Sequence, residues 1–301
     1  MANSAILQKI ESLNPKNDAW EIVRLSVFYE FPWDFNRALE LALYKTFAVP
    51  SIAKILHNSK EFEKHAQKRY DDTDLILSEI IENGFNERGQ KMIEQLNWIH
   101  SNYPISNEDY LYVLSTFVFD SVDWINKYGY RKLVKNEELA GFYVWKEIGE
   151  KMQIKDIPDT IEVFKIYHDE YEAKHFQFSE ANVKVARATE DLMLGWFMPS
   201  QLFDVARPFL HAVMQPHLLK AFHYEEPNVA LRTITTNALR LRSFTASLFP
   251  RKTPLLRTKN IKHKTYKNGY NLEDLGPDKL MKSATCPYHK VMGKLKTTSG
   301  I

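Results

Sequence analysis

No stretch of this 301-residue chain alternates apolar and polar residues cleanly over six or more positions, whereas apolar residues recur at three- and four-residue spacing almost from end to end. That spacing places side chains on one face of a helix; a half-buried strand needs a period of two. The punctuation agrees. Ten glycines and 13 prolines fall well short of the roughly 12% of an average chain, and strands joined by tight turns use more of both. The sequence therefore predicts an all-α fold of about ten helices.

Start and stop residues place those helices. Asn14-Pro15 ends a first helix over 5–13, and Asp18 is positioned to cap a second that runs through Phe28. Pro32 interrupts it, Trp33 to Phe47 is periodic again, and Pro50 suits the first position of a helix over 50–56. A helix over 62–81 has Gly84 as its stop, and one over 86–103 ends at Pro104. Ser106 followed three residues later by Asp109 has capping-box spacing and opens a helix to Tyr128. Further helices are expected from Asn136, from Asp159 to Phe178, and over 180–197, 201–222 and 227–249.

The net charge of +2 conceals an asymmetry. Residues 251–301 hold 12 Lys/Arg against 3 Asp/Glu, a local +9 that leaves −7 on residues 1–250. The expected organisation is one helical domain over 1–250 and a basic, extended C-terminal tail over 251–301. A solvated linker is the plain reading of that tail; contact with an acidic partner or an anionic membrane face is the sharper one. The near-neutral total gives no general argument for nucleic acid. The one cysteine, Cys286, excludes a disulfide within the chain and multi-cysteine metal sites. The first residues carry no apolar run of signal-peptide length. Uncharged apolar stretches such as 110–119 reach half of the ~20 residues of a spanning helix. The location expected is cytoplasmic, or peripheral on an intracellular membrane.

Among the ten histidines, His100 stands out because it lies on the apolar stripe of a helix, between Leu96 and Tyr103. A histidine there is either hydrogen-bonded to a neighbour or a metal ligand. No second histidine follows at three or four residues, so a paired zinc site is absent, but a single axial histidine to haem iron needs no partner in sequence. Arg69 and Thr73, four apart, share a helix face. They read either as an orienting pair for an anion, a carboxylate or an iron-bound oxygen, or as a surface helix with an Arg–Asp ion pair. Glu172 and His175 have the spacing of a carboxylate–histidine metal motif once, alongside His168. A solvated polar face is the plainer reading. Spacings of six spread His211, His217 and His223 around a helix. The chain has no Gly-x-Gly-x-x-Gly, Walker loop or Gly-x-Ser-x-Gly elbow.

The segment 96–103, Leu-Asn-Trp-Ile-His-Ser-Asn-Tyr, followed by Ile-Ser-Asn-Glu-Asp-Tyr-Leu-Tyr over 105–112, resembles the catalytic-domain family of mpaB and rubber oxygenase (latex clearing protein), closest to its fungal mpaB-like branch. Supporting blocks are Tyr-Glu-Phe-Pro-Trp at 29–33, Thr-Phe-Ala-Val-Pro-Ser-Ile-Ala at 46–53, Lys-Arg-Tyr-Asp-Asp-Thr at 68–73 and Trp-Lys-Glu-Ile-Gly at 145–149. The resemblance implies a globin-like helical domain holding haem b, with O2-dependent cleavage of a double bond in an apolar, isoprenoid-like or lipid-like small molecule. It implies that His100 is the proximal ligand of the haem iron and that Arg69 and Thr73 line the site as catalytic and cofactor-binding residues. Asp72 stands where rubber oxygenase has a lysine. The family's catalytic glutamate has no motif-anchored counterpart, and Glu61, Glu63 and Glu79 are merely nearby. Two alternatives therefore stand beside the oxygenase: a haem-binding sensor or carrier without turnover, and a haemless helical interaction protein.

Overall fold

A computed structural model describes residues 4–288. The first helices in chain order are α1 (Ser4–Ser12), α2 (Ala19–Leu25), α3 (Pro32–Thr46), α4 (Pro50–Ser59), α5 (Glu61–Lys64), α6 (Ala66–Asn83) and α7 (Glu87–Ser101). Next come α8 (Asn107–Tyr128), α9 (Lys135–Lys151), α10 (Ile161–His175), α11 (Glu180–Leu194) and α12 (Phe203–His211). The last are α13 (Pro216–Ala221), α14 (Val229–Ser247), α15 (Arg257–Asn260) and α16 (Asp278–Met281). Among the described residues there is no strand, and the all-α expectation holds with sixteen helices in one helical domain.

The helix count exceeds the expected ten because backbone breaks divide two periodic runs and because two short helices, α15 and α16, form within residues 251–301. Lys60 sits in the left-handed region at φ 62°, and the run expected over 62–81 divides at His65 into α5 and α6. The run expected over 201–222 divides before Pro216 into α12 and α13. Elsewhere the punctuation reads true. Pro50 opens α4, Gly84 at φ 62° closes α6, and Gly129 follows α8. The Ser106 hydroxyl accepts from the Asp109 amide at 3.0 Å, as the capping spacing predicts. The Asp109 carboxylate does not complete the box; it accepts from Tyr171 at 2.6 Å and Ser51 at 2.9 Å. Asp18 makes no side-chain cap on α2 and instead accepts from the Asn14 amide.

Two compact units make up the domain. The first comprises, among the described residues, 4–59 and 105–255. In it α3 packs along α8, α2 along α9, and α10 and α14 also lie against α8. Phe31, Trp124, Ile125 and Tyr128 form one buried cluster, with Trp33 and Leu239 packed on it. Val49, Tyr112 and Tyr171 form another, in which the two tyrosine rings stack at 4.4 Å.

The second unit comprises residues 60–104 and, among the described residues, 256–288. Its frame is the α6–α7 hairpin, turned by Gly84, Phe85 and Asn86. The Asn86 side chain accepts from the Arg88 and Gly89 amides, capping α7. The described part of the basic segment is strapped to this hairpin; residues 289–301 lie outside the described residues. Its physical reason is an acidic face on α6. Arg257 makes two hydrogen bonds to Asp74 at 2.6 and 2.7 Å, and His263 meets the same carboxylate at 2.7 Å. The Thr265 amide donates to Asp71, Tyr266 to Asp72 and Tyr270 to Glu79. Burial would raise the Asp74 pKa, but His263 and Arg257 outweigh it and hold the carboxylate below its ordinary value. Further along, Gln95 donates to the Leu272 and Leu275 carbonyls. Gly276 adopts φ +132°, and a Cβ there would lie 2.8 Å from Ile99, so glycine lets the strap lie close to α7. Met281 and Cys286 are buried against Ile99.

Candidate functional site

All three residues singled out from sequence, Arg69, Thr73 and His100, fall in the second unit. Arg69 and Thr73 lie one turn apart on α6, and His100 lies in the last turn of α7, the helix packed against α6. The Arg69 guanidinium donates to the Thr73 hydroxyl, which in turn donates to the Arg69 carbonyl at 2.8 Å. This closes a local loop that fixes both side chains. The guanidinium also sits 5.3 Å from the Phe62 ring centroid, within cation–π range. The pair is thus not a surface Arg–Asp ion pair. Asp72 is engaged by Lys68 at 2.8 Å and by Tyr266.

The electrostatics tie α6 to α7. Burial lowers the Arg69 pKa, and the nearby Asp72, Tyr103 and Glu61 work the other way. His100 is partly buried, and burial, followed by the positive charge of Arg69, lowers its pKa to about 4. Its imidazole is therefore neutral at physiological pH, the form in which a ring nitrogen offers a lone pair to a metal. The arrangement presents one neutral imidazole beside one fixed guanidinium.

A bare metal ion would need more ligands. Among the described residues no group of three or more His, Cys, Asp or Glu is placed to hold one. Haem iron is chelated by its own macrocycle and asks a single axial side chain of the protein. A neutral histidine with a cation nearby for the haem carboxylates fits that demand. The acids considered from sequence are otherwise engaged. Glu79 is buried and bound by Arg88 at 2.5 and 2.6 Å and by Tyr270 at 2.5 Å. Glu61 meets His65, and Glu63 meets Lys60.

The first unit holds a buried polar cluster that sequence reasoning missed. Lys45 of α3 donates to Asp120 of α8 at 2.7 Å and to Glu172 of α10 at 2.6 Å. Glu172 also meets His168 at 3.1 Å and His217 at 2.8 Å, and Ser115 contacts the far ring nitrogen of His168 at 2.8 Å. His168 and Glu172 are therefore buried, not a solvated face as the spacing suggested. Burial alone would raise the Glu172 pKa; hydrogen bonds from His168 and His217 and the charge of Lys45 hold it far below the ordinary range. Asp120 moves up, chiefly through burial, with Lys45 opposing. One sequence signal could have pointed here: Asp120 is a lone acid within the apolar run Leu111–Val122. A second cluster gathers Tyr44, Arg207 and His211 around Glu190, and His211 stacks on Tyr224 at 4.4 Å. The expected spread of His211, His217 and His223 around one helix gives way to positions in α12, in α13 and beyond it.

Comparison with known proteins bears on the hairpin site. Residues 37–241 match the family described as ER-bound oxygenase mpaB/B′/rubber oxygenase, catalytic domain, a span that includes Arg69, Thr73 and His100. A Penicillium brevicompactum protein named ER-bound oxygenase mpaB′ is 27% identical over 259 residues, covering 79% of this chain and 61% of its own length. A Penicillium roqueforti protein named ER-bound oxygenase mpaB is 27% identical over 228 residues, covering 69% of this chain and 76% of its own. The chain thus spans about three fifths of the first relative's length. Among the described residues no helix is long and apolar enough to cross a membrane.

Proposed function

The chain belongs to the mpaB and rubber-oxygenase catalytic-domain family, and from that premise we propose that it is a haem-b-dependent oxygenase. In this reading it uses O2 to cleave an apolar, isoprenoid-like or lipid-like substrate to carbonyl products. The observation that carries the proposal is His100. It is a neutral imidazole, with a pKa of about 4, on the helix that packs against the one bearing Arg69 and Thr73.

When bound, haem b supplies the redox chemistry and the activation of O2. The protein supplies placement. His100 would hold the haem iron, and because burial and Arg69 keep its imidazole neutral, no proton would have to leave first. Arg69, locked by Thr73 and seated on Phe62, would offer an oriented cation to a carboxylate of the haem. Thr73 keeps that guanidinium in one rotamer.

A second reading, haem binding without turnover, is favoured by the commitment of Glu79 to Arg88 and Tyr270, which leaves it no role as a base. A third, a haemless interaction protein, keeps the fold but gives His100 no ligand. Absorbance spectra of the haem-supplied wild type and His100→Ala separate the third reading from the others. The expected result is a Soret band in the wild type that the variant loses while its melting temperature is retained. Equal bands in both proteins would remove His100 from the site. Oxygen uptake with prenylated substrates then separates oxygenase from carrier, since a carrier consumes none.

A further inference from the structure

The first unit leaves one helix face bare. On α14 the side chains of Ile234, Leu241, Phe244 and Leu248 follow a spacing of seven, three and four, and thus share one face. Each is half exposed or more, as is Phe249 just beyond the helix. The opposite side of α14 is anchored: Leu239 packs on the Trp124 cluster, and Arg242 reaches Asp34 at 2.8 Å while lying 3.9 Å over the Trp33 ring. The bare face is therefore not a frayed core. α12, which packs against α14, also exposes Val205 and Phe209.

The charge around this face has one sign. From Asn228 to Lys252 there are five Arg and Lys and no Asp or Glu, although residues 1–250 carry −7. Arg232 and Arg242 turn inward, to the Met214 carbonyl and Asp34. Arg240, although exposed, donates to the Lys127 carbonyl at 3.0 Å, and Arg251 and Lys252 are exposed at the end of the apolar stripe. We propose that this α14 face, with Phe249, Arg251 and Lys252, docks the protein on an anionic phospholipid surface. Bulky apolar groups enter the headgroup–acyl boundary while the flanking cations meet lipid phosphates. The rest of the first unit is acidic and is repelled by the same surface, which keeps α14 toward it. A second copy of the chain fits less well, because a two-fold contact would bring the same cations together across it.

The test is co-sedimentation of the full chain with vesicles of phosphatidylcholine alone, or of equal parts phosphatidylcholine and phosphatidylserine. The wild type is expected to bind the anionic vesicles, weakly to the neutral ones, and less in high salt. Phe244→Ser with Leu248→Ser, both at exposed positions, should keep the wild-type melting temperature and lower the partition roughly tenfold or more. Lys262→Ala with Lys267→Ala, exposed in the C-terminal segment, should leave binding unchanged. Absence of wild-type binding to anionic vesicles would overturn the proposal, and so would full binding by the Phe244/Leu248 variant. Loss of binding in the Lys262/Lys267 variant would move the contact to the C-terminal segment. A wild-type dimer in light scattering that the Phe244/Leu248 variant dissolves would assign the face to a second copy instead.

Discussion

Lys45→Met is expected to destabilise the chain by about 3–5 kcal/mol, the range for removing one partner of a buried ionic group. Methionine nearly matches the volume, so a cavity is not the cause. The cause is that Asp120 and Glu172, both buried, lose the cation that lies 2.7 and 2.6 Å from them. Urea unfolding at neutral pH gives the deficit. A companion variant that also carries Asp120→Leu removes one of the stranded carboxylates and should recover much of it, so the two changes will be non-additive.

The pH dependence carries the same signature. In the wild type, Glu172 is more acidic when folded than its ordinary value of 4.5. As pH falls, the unfolded chain takes up this proton first, so the contribution is full above pH ~4.5 and drains away below it. Without Lys45 both carboxyl groups shift upward and bind protons more readily in the folded state. The deficit of Lys45→Met should therefore be largest near neutrality and shrink in acid. A deficit constant from neutral pH to about 4 would mean that lost packing, not lost charge, is responsible.

Gly89→Ala is the second large effect, expected at about 2–4 kcal/mol. A Cβ at Gly89 would lie 1.9 Å from the Gly84 carbonyl oxygen and 2.9 Å from its carbon. Both atoms are backbone, so no rotamer change relieves the clash; the α6–α7 corner has to open. Because Arg69, Thr73 and His100 ride on this hairpin, the variant should also bind supplied haem more weakly, with His100 itself intact. Gly141→Ala is the control. It lies in α9 with nothing within 4 Å of an added Cβ, and it should be neutral or stabilising by up to about 1 kcal/mol. Thermal melts of the two variants side by side decide the matter. Equal melting temperatures would mean that the corner yields freely.

How much of this was legible in sequence depends on the range of the interaction that decides each feature. Pro50, Gly84 and the Ser106 cap act within one turn, and the sequence shows them. The break before Pro216 was written in the residue itself, but the periodicity around it was read as continuous. Lys45 looked like any polar position of an amphipathic helix, because its partners Asp120 and Glu172 lie on two other helices. Asp109 had the right spacing for a capping box, yet a tyrosine 62 residues away took its carboxylate. The candidate site was legible as motif, in the order of the blocks around Arg69, Thr73 and His100. Its electrostatics were not, since the shift of His100 arises from enclosure and from a charge on a different helix.

The strap on the α6 hairpin has a consequence for how the protein is made. Asp74 leaves the ribosome 183 residues before Arg257, its partner. At roughly 5–20 residues per second, the hairpin with its acidic face waits about 10–40 s for the segment that neutralises it. The helices of the first unit are all translated within or before that interval. A nascent chain stalled after α14 would hold every candidate ligand and the whole family match, yet lack the residues that close the unit in which those ligands sit. Completion of the site is thus a late event of synthesis, and cofactor loading on the growing chain would have to precede the strap or wait for it.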